Sequence, residues 1–319
     1  MKASQDRYLC LALLGATASG KTAFALEIAK ELDAEIVCLD STTPYRGFNI
    51  GSSKPSPSQQ KQVPHHLIDI LAPHENFSAG DFVRLADQAI SNIHQRNKIP
   101  LIVGGTYFYL KSLQNGLYDL PPVDPDVVDA LENSLEESEQ GLSVLYEELQ
   151  KEDPSTAAKL HPNDRYRIVR ALAIIRGTGK RPSDLTLSPL SSEAGKRIWM
   201  KYALLVPRHE LTQAIALRTD SMLNQGLVEE TRLLKDQTPA ARALSSIGYS
   251  ECVRFIDGVI DQKQLRNEII EKTRQLAKRQ ITWLRSDPEI RFIDHRDASR
   301  LSLEVSNLQF VMNHKKDAS

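Results

Sequence analysis

The sequence predicts an α/β fold, a parallel-sheet core interrupted by a helical insertion and extended by further helices. Three observations carry this. Leu9 to Leu14 and Ile99 to Val103 are short continuous apolar runs, which suit strands buried on both faces. Helix-like periodicity alternates with such runs over the first third of the chain, the pattern of parallel strands joined by right-handed crossovers. After Gly116 the strand-like runs give way to helix-like segments.

Leu9 to Leu14 opens the sheet. With Lys2 and Arg7 ahead of it, this start loosely has the polarity of a signal peptide, but the same residues fit a buried strand feeding the motif that follows. Lys21 to Leu32 reads as a helix, with Phe24, Ile28 and Leu32 at helical spacing. Glu35 to Leu39 is a second apolar strand, ending at Asp40. Asn49 to Ser58 is rich in Gly, Ser and Pro and reads as loop. Leu67 to Leu71 reads as a short third strand. Ser78 with Asp81 makes a capping-box-like start to a helix lined by Phe82, Leu85, Ala89, Ile90 and Ile93. The Ile99 strand then runs into Gly104-Gly105-Thr106. Asp124 to Gly177 reads as helices only, Tyr202 to Val206 as a returning strand, and Arg208 onward as helices. Arg291 to Asp294 is a last apolar piece, and the polar tail after Asn313 is expected to fray. The expected division is a first core part over 1–118, a helical insertion over 119–195, a return to the core over 196–235, a helical segment over 236–288, and the core end with its tail over 289–319.

Hydrophobic residues are 41% and charged residues 25% of the 319, which excludes general disorder, collagen and a disulfide scaffold. Lys and Arg number 40 against 41 Asp and Glu, so a protein basic throughout is excluded as well. Charge is segregated, however. Residues 119–160 hold 12 acids and 2 bases, whereas 161–185 and 266–285 each hold 6 bases and 2 acids. Such runs are usually solvated helix faces, but two basic segments flanking one core favour a polyanion partner. Cys10, Cys38 and Cys252 lie far apart without a CxxC, so neither a zinc site nor a disulfide framework is suggested and a reducing, cytoplasmic compartment is expected. No apolar run approaches the ~20 residues of a membrane span.

Gly15-Ala16-Thr17-Ala18-Ser19-Gly20-Lys21-Thr22 matches the P-loop pattern GxxxxGK[ST] in full, with a strand before it and a helix after it. The core is therefore expected to be P-loop NTPase-like. The glycines let backbone N–H groups turn inward at a helix N-terminus and form an anion nest. Lys21 adds a point charge, and the Thr22 hydroxyl can ligate Mg²⁺. Chance would produce this pattern in such a chain on the order of 1% of the time. Strand carboxyl ends face the ligand crevice of a doubly wound sheet, so Asp40 and Thr106 are expected nearby. From these residues alone the phosphate ligand stays open. A small-molecule kinase would hold ATP here, with Arg165, Arg167 and Arg170 as a lid, and a non-catalytic RNA-binding module is a second rival.

Further blocks stand in order: Asp40-Ser41, Tyr45-Arg46-Gly47 and Ile50-Gly51; Pro64-His65-His66-Leu67-Ile-Asp69; Val103-Gly-Gly-Thr106; His161-Pro-Asn-Asp164 with Arg167 and Arg170-Ala-Leu172; Ile247-Gly-Tyr249; and Thr273-Arg-Gln-Leu-Ala-Lys-Arg-Gln-Ile-Thr-Trp-Leu-Arg285. With the P-loop they make the chain resemble the tRNA dimethylallyltransferases over nearly its whole length, from Leu11 to Asp294. The resemblance implies transfer of a five-carbon group from dimethylallyl diphosphate to N6 of the adenosine 3′ of the anticodon, position 37, with diphosphate released. The cradle from Gly15 through Ala16, Thr17, Ala18, Ser19 and Gly20 to Lys21 and Thr22 would then hold diphosphate rather than a nucleotide. Lys21, the loop N–H groups and a Mg²⁺ held through Thr22 would stabilise the leaving group. Arg218, in Ala214-Ile-Ala-Leu-Arg218, would contact it too, unless it is simply a surface helix Arg. Asp40 would be the general base, and Thr106 would stand near the reacting atoms. The anticodon stem-loop would meet Asp40, Ser41, Thr42, Thr43, Gly248 and Tyr249. It would also meet two basic elements, Arg167 with Arg170 and Arg274, Lys278, Arg279 with Arg285, so that 236–288 is the tRNA-binding segment. The acceptor base must leave its stack to react. On the last helix Arg274, Lys278 and Arg285 share one face, while Ile269, Leu276, Ile281 and Leu284 line another. Trp283 could stack on a base or pack, and packing is the expectation. A monomer is expected.

Several positions depart from the family's usual pattern. Thr42-Thr43-Pro44 stands where Met-Gln-Val is common, and Tyr107-Phe108-Tyr109 where Gly-Leu-Tyr is, which places a bulky ring near the channel. Ala16 replaces a common Pro, and Ser245-Ser246 replaces a Gln or Arg. These changes touch the reading of tRNA more than the phosphate chemistry.

Overall fold

A computed structural model describes residues 7–118, 123–136, 140–188 and 194–317. The first run forms β1, Tyr8–Leu14, whose seven residues are all buried. Helix α1, Lys21–Glu31, follows the glycine-rich turn and buries Phe24, Ala25, Ile28 and Ala29. β2, Ala34–Leu39, is buried throughout and stops at Asp40. The stretch expected as loop contains the start of α2, Pro57–Gln62: Ser56 caps it, Pro57 fits its first turn, and Gln59 closes a capping box. β3 is only His65–His66. The expected Leu67–Leu71 strand does not form, because Leu67 and Asp69 take left-handed backbone (φ 65° and 53°) that no strand accepts. α3, Ala79–Gln95, starts at the Ser78–Asp81 capping box and buries Phe82, Val83, Ala86, Ala89, Ile90 and Ile93. β4, Ile99–Gly104, and α4, Tyr107–Asn115, complete the first part of the core.

The next elements are β5, Leu117–Tyr118; α5, Pro125–Glu136; α6, Gly141–Glu152; α7, Pro154–Ala157; α8, Arg165–Thr178; and β6, Leu187–Ser188. β5 and β6 pair antiparallel, a two-residue ribbon without a readable sequence signal. The chain returns through β7, Arg197–Leu205, which starts earlier than the expected strand and stops before Val206. It continues as α9, Arg208–Asn224; α10, Leu227–Gln237; α11, Tyr249–Ile256; α12, Gln262–Arg285; β8, Ile290–Asp294; and α13, Ala298–Asp317. α13 carries the backbone past Asn313, where fraying was expected.

The six main strands lie in the order β3-β2-β4-β1-β7-β8, and every described pairing among them is parallel. One face packs on α1 and α13, through Leu11, Leu13, Phe24, Ile28, Leu301 and Val305. The other packs on α3, α4 and the later helices, through Cys10, Leu14, Phe82, Ile90, Leu110 and Ile269. By contact density the chain forms two units, residues 1–114 with 190–319, and residues 115–189. The second unit has its own core of Leu131, Leu145, Leu149, Ile168 and Leu172.

The parallel order places the carboxyl ends of β1, β2 and β4 side by side. Their following loops therefore share one crevice.

Candidate active site

Between β1 and α1 the chain must turn sharply. Gly20 at the N-cap has φ 82°, which a side chain would resist, and Ala18 also takes left-handed backbone at φ 65°. Lys21 at the helix start donates from Nζ to the Ala16 carbonyl at 2.6 Å. Burial pulls its pKa down to about 7; the nearby Arg218 adds to this and Asp40 opposes it. Thr22 is exposed beside it.

Asp40 stands where β2 ends. Its Oδ1 accepts the backbone N–H groups of Thr42 at 2.7 Å and Thr43 at 3.0 Å, an Asx turn that fixes the plane of the carboxylate. Thr43 is itself buried, and its hydroxyl has no hydrogen-bond partner. Arg218 arrives from α9 and donates from Nε to Ser53 Oγ at 2.9 Å. Burial lowers the pKa of this guanidinium, again against Asp40.

These groups line one cavity of about 450 Å³, together with Thr17, Ser19, Gly105 and Gln280. The structure thus brings the P-loop, Asp40, Thr43 and Arg218 together. Thr106 is not among the lining residues; its N–H donates to the Leu39 carbonyl at 3.4 Å and it heads α4. Tyr107 does not obstruct a channel either. It is buried, and its hydroxyl donates to Asp287 at 2.7 Å. Phe108 is the exposed ring of that segment.

Gly248 and Tyr249 depart from the expected tRNA contact because both are buried. The Gly248 N–H is given to Glu251 Oε2 at 2.6 Å. Tyr249 donates its hydroxyl to Glu230 at 2.6 Å and accepts the Gly51 N–H at 3.1 Å, so it holds the 49–51 loop. Ser41 is exposed and Thr42 half-buried. On α12, Arg274, Lys278, Arg279 and Arg285 are all exposed, and none pairs with a carboxylate among the described residues. Lys272 of the same helix is tied to buried Glu251 at 2.6 Å. The inward face of α12 is Leu265, Ile269, Thr273, Ala277, Gln280 and Leu284, slightly rotated from the expected one. Trp283 does not pack away; it is 43% exposed. Within the second unit, Arg167 pairs with Asp164 of its own helix start, Arg165 with Glu132, and Arg170 is exposed.

Sequence reasoning passed over Gln280, Ser53 and His65, which also line the cavity. One signal for Gln280 was available: it is an amide at a core position of an amphipathic helix. For Mg²⁺ the available donors are oxygens, the Thr22 hydroxyl and the Asp40 carboxylate. Among the described residues no group of three His, Cys, Asp or Glu is placed to hold a metal ion. Mg²⁺ usually takes one or two carboxylates, substrate phosphate oxygens and water, so this sparse oxygen set fits it.

Comparison with known proteins adds independent findings. A family model described as IPP transferase matches residues 43–287. The tRNA dimethylallyltransferase 1 of Trichlorobacter lovleyi is 43% identical over 91% of this chain and 94% of its own. The tRNA dimethylallyltransferase of Stenotrophomonas maltophilia is 40% identical over 94% and 97%. Among solved structures, the full-length tRNA isopentenylpyrophosphate transferase of Bacillus halodurans is 32% identical, with a TM-score of 0.69 and 98% of each chain covered. A eukaryotic dimethylallyltransferase, described as acting on tRNA, has a TM-score of 0.76 at 27% identity, over 96% of this chain and 80% of its own.

Proposed function

We propose a function from one premise: this chain belongs to the IPP transferase family. It is a transferase that modifies tRNA, moving a dimethylallyl group from dimethylallyl diphosphate to N6 of adenosine 37. The observation that carries this reading is the single cavity in which Lys21, Arg218 and Asp40 meet. Two cations suit a leaving diphosphate, and one carboxylate of fixed orientation suits the proton of an amine.

The chemistry follows from that arrangement. The allylic C1–O bond breaks and its electron pair leaves with the diphosphate. The P-loop N–H groups, Lys21 and Arg218 receive the growing charge. The N6 lone pair forms the new N–C bond, and the N6 proton passes to Asp40, whose Oδ1 is already engaged by Thr42 and Thr43. Thr22 would hold Mg²⁺, which when bound would supply further positive charge to the diphosphate and leave the second Asp40 oxygen free for the proton.

The substrate arm is the anticodon stem-loop, met by the exposed cations of α12. Single-stranded loops offer bases that can be extruded and read. Among the described residues no helix is long and apolar enough to cross a membrane. We place the protein in the cytoplasm as a monomer. The kinase reading has no support from the relatives, which are tRNA-modifying transferases.

The test is direct. Protein is incubated with tRNA and labelled dimethylallyl diphosphate, and separately with ATP and candidate metabolites. Label should enter RNA; consumption of ATP without labelled RNA would return the reading to a kinase. Asp40→Ala should abolish transfer and spare tRNA binding, and retained transfer would remove Asp40 as the base.

A further inference from the structure

Gln280 points from the buried side of α12 into the phosphate cradle, and it is 7% exposed. Its Oε1 accepts the Thr17 N–H at 2.8 Å, and its Nε2 donates to the Gly105 carbonyl at 3.1 Å. One side-chain amide therefore ties the third residue of the P-loop to the segment after β4. The fit leaves no slack: a Cβ on Gly105 would fall on Nε2. Around it, Ala277 of α12, Ala16 of the loop and Leu211 with Ile215 of α9 form a separate apolar cluster, with Ala18 and Ile281 packed against it. The helix that brings Arg218 and the helix that brings Gln280 thus grip the same loop.

The loop needs that grip. Ala18, directly after Thr17, sits at φ 65°, a conformation that a residue with a side chain keeps only when its surroundings impose it. The loop's own restraints are few: Lys21 reaches the Ala16 carbonyl, and the Ser19 N–H reaches the same oxygen at 3.2 Å. The Ser19 hydroxyl is buried without a partner. Only an amide suits position 280. Thr17 needs an acceptor and Gly105 a donor, and a glutamine offers both at one end. A carboxylate would face the Gly105 oxygen and add negative charge beside the phosphates.

We propose that Gln280 is a positioning residue for the diphosphate cradle, holding Thr17 so that the following turn stays shaped to receive diphosphate. This rests on the reading of the cavity as a diphosphate site. Gln280 acts through the loop and touches no reacting atom in this scheme. Losing it should therefore weaken binding of the diphosphate end and leave tRNA recognition alone.

The experiment uses the full chain with Gln280→Met, which keeps length but neither hydrogen bond, and Gln280→Glu. The Kd for inorganic diphosphate is measured by calorimetry, with KM for each substrate and the Tm. Gln280→Met should raise the diphosphate Kd and the KM for dimethylallyl diphosphate about tenfold, the worth of a buried hydrogen bond. Gln280→Glu should raise both further, and the KM for tRNA should stay within about twofold. An unchanged diphosphate Kd in a folded variant overturns the proposal, as does a shift confined to tRNA. If Gln280→Met does not fold, Gln280→Glu decides by the same readings. Failure of both to fold assigns Gln280 to the core alone and also overturns it. Wild-type protein that binds no diphosphate would instead overturn the function proposed above.

Discussion

Raising the pH should loosen diphosphate binding by the wild type relative to Lys21→Arg. Burial brings Lys21 down to about 7 in the free protein, with Arg218 adding to the effect and Asp40 resisting it. Half of the side chain is then ammonium at pH 7 and about a tenth at pH 8. A bound diphosphate places negative charge beside it and drives its pKa back up, so binding takes up a proton above pH 7. Linkage makes the wild-type Kd rise about fivefold from pH 7 to 8 and about ninefold from 8 to 9. Diphosphate gains charge of its own over this range, which works the other way. The informative quantity is therefore the ratio of wild-type to Lys21→Arg Kd, because arginine stays charged throughout and meets the same ligand. Calorimetry with inorganic diphosphate at fixed ionic strength between pH 6.5 and 9 gives that ratio. Parallel profiles for the two proteins would refute the argument. The same lysine makes a second, ligand-free statement. Its folded pKa lies below its ordinary value of 10.5, so between about 7 and 10.5 the unfolded chain binds more protons. Lys21 should thus make the protein more stable as pH rises through that window, and least stable below it.

Three other perturbations have defined outcomes. Arg274→Ala and Lys278→Ala should each weaken tRNA binding, and each should lower the slope of log affinity against log salt by about 0.7 to 0.9, with diphosphate binding unchanged. Lys201→Met removes the partner of Asp287, which lies 2.7 Å away with both side chains 2% exposed, and should cost about 3–5 kcal/mol in urea unfolding. A loss below about 1 kcal/mol would show that Lys111, at 3.4 Å, and Tyr107 suffice. Burial works to raise the Asp287 pKa, but hydrogen bonds from Lys201 and Tyr107 outweigh it and hold it well below the carboxylate range. That stability is present above the unfolded pKa and is lost as pH falls through the folded one, so the variant should show a flatter acid limb. Thr43→Val keeps shape and removes a buried, unpartnered hydroxyl from the cavity that holds Asp40. If that hydroxyl meets the acceptor base, kcat/KM for tRNA falls several-fold with KM for dimethylallyl diphosphate unchanged, and an unaltered kcat/KM would exclude the contact.

Elements dominated by one local signal were legible from the sequence. β1 and β4 are continuous apolar runs, and α3 announces itself with a capping box and a buried stripe. β3 was misplaced because its end is set by left-handed residues at Leu67 and Asp69, which carry no compositional mark. α13 was missed because Leu301 and Val305, its buried contacts with the sheet, are spread among polar neighbours. The site divides the same way. The P-loop is local in sequence and was read in full, and Asp40 followed from its place at a strand end. Gln280 meets Thr17 across 263 residues, and nothing local relates the two. Tyr249 shows the reverse error. A motif marked it for RNA, and the fold spends its hydroxyl on Glu230 and the Gly51 N–H instead.

The departures at 42–44 bear on which parts of the site tolerate change. Asp40 is oriented by the N–H groups of residues 42 and 43, and any residue but proline supplies those. Proline stands at 44, one place after the last N–H that the carboxylate uses, and the turn closes by Tyr45 N–H donating to the Thr42 carbonyl at 3.1 Å. The side chains at 42 and 43 are therefore free to differ without moving the base. What changes is reach: a threonine hydroxyl at 43 is two bonds shorter than a glutamine amide and stays within the cavity wall. Tyr107 is the contrasting case, its ring drawn to Asp287 and the Lys201 pair, away from the cavity. At 42 and 43 the backbone holds the chemistry and the side chains are available for substrate-specific contacts, whereas the Tyr107 side chain is committed to Asp287. Variation at 43 should accordingly alter which tRNAs react before it alters whether dimethylallyl transfer occurs at all.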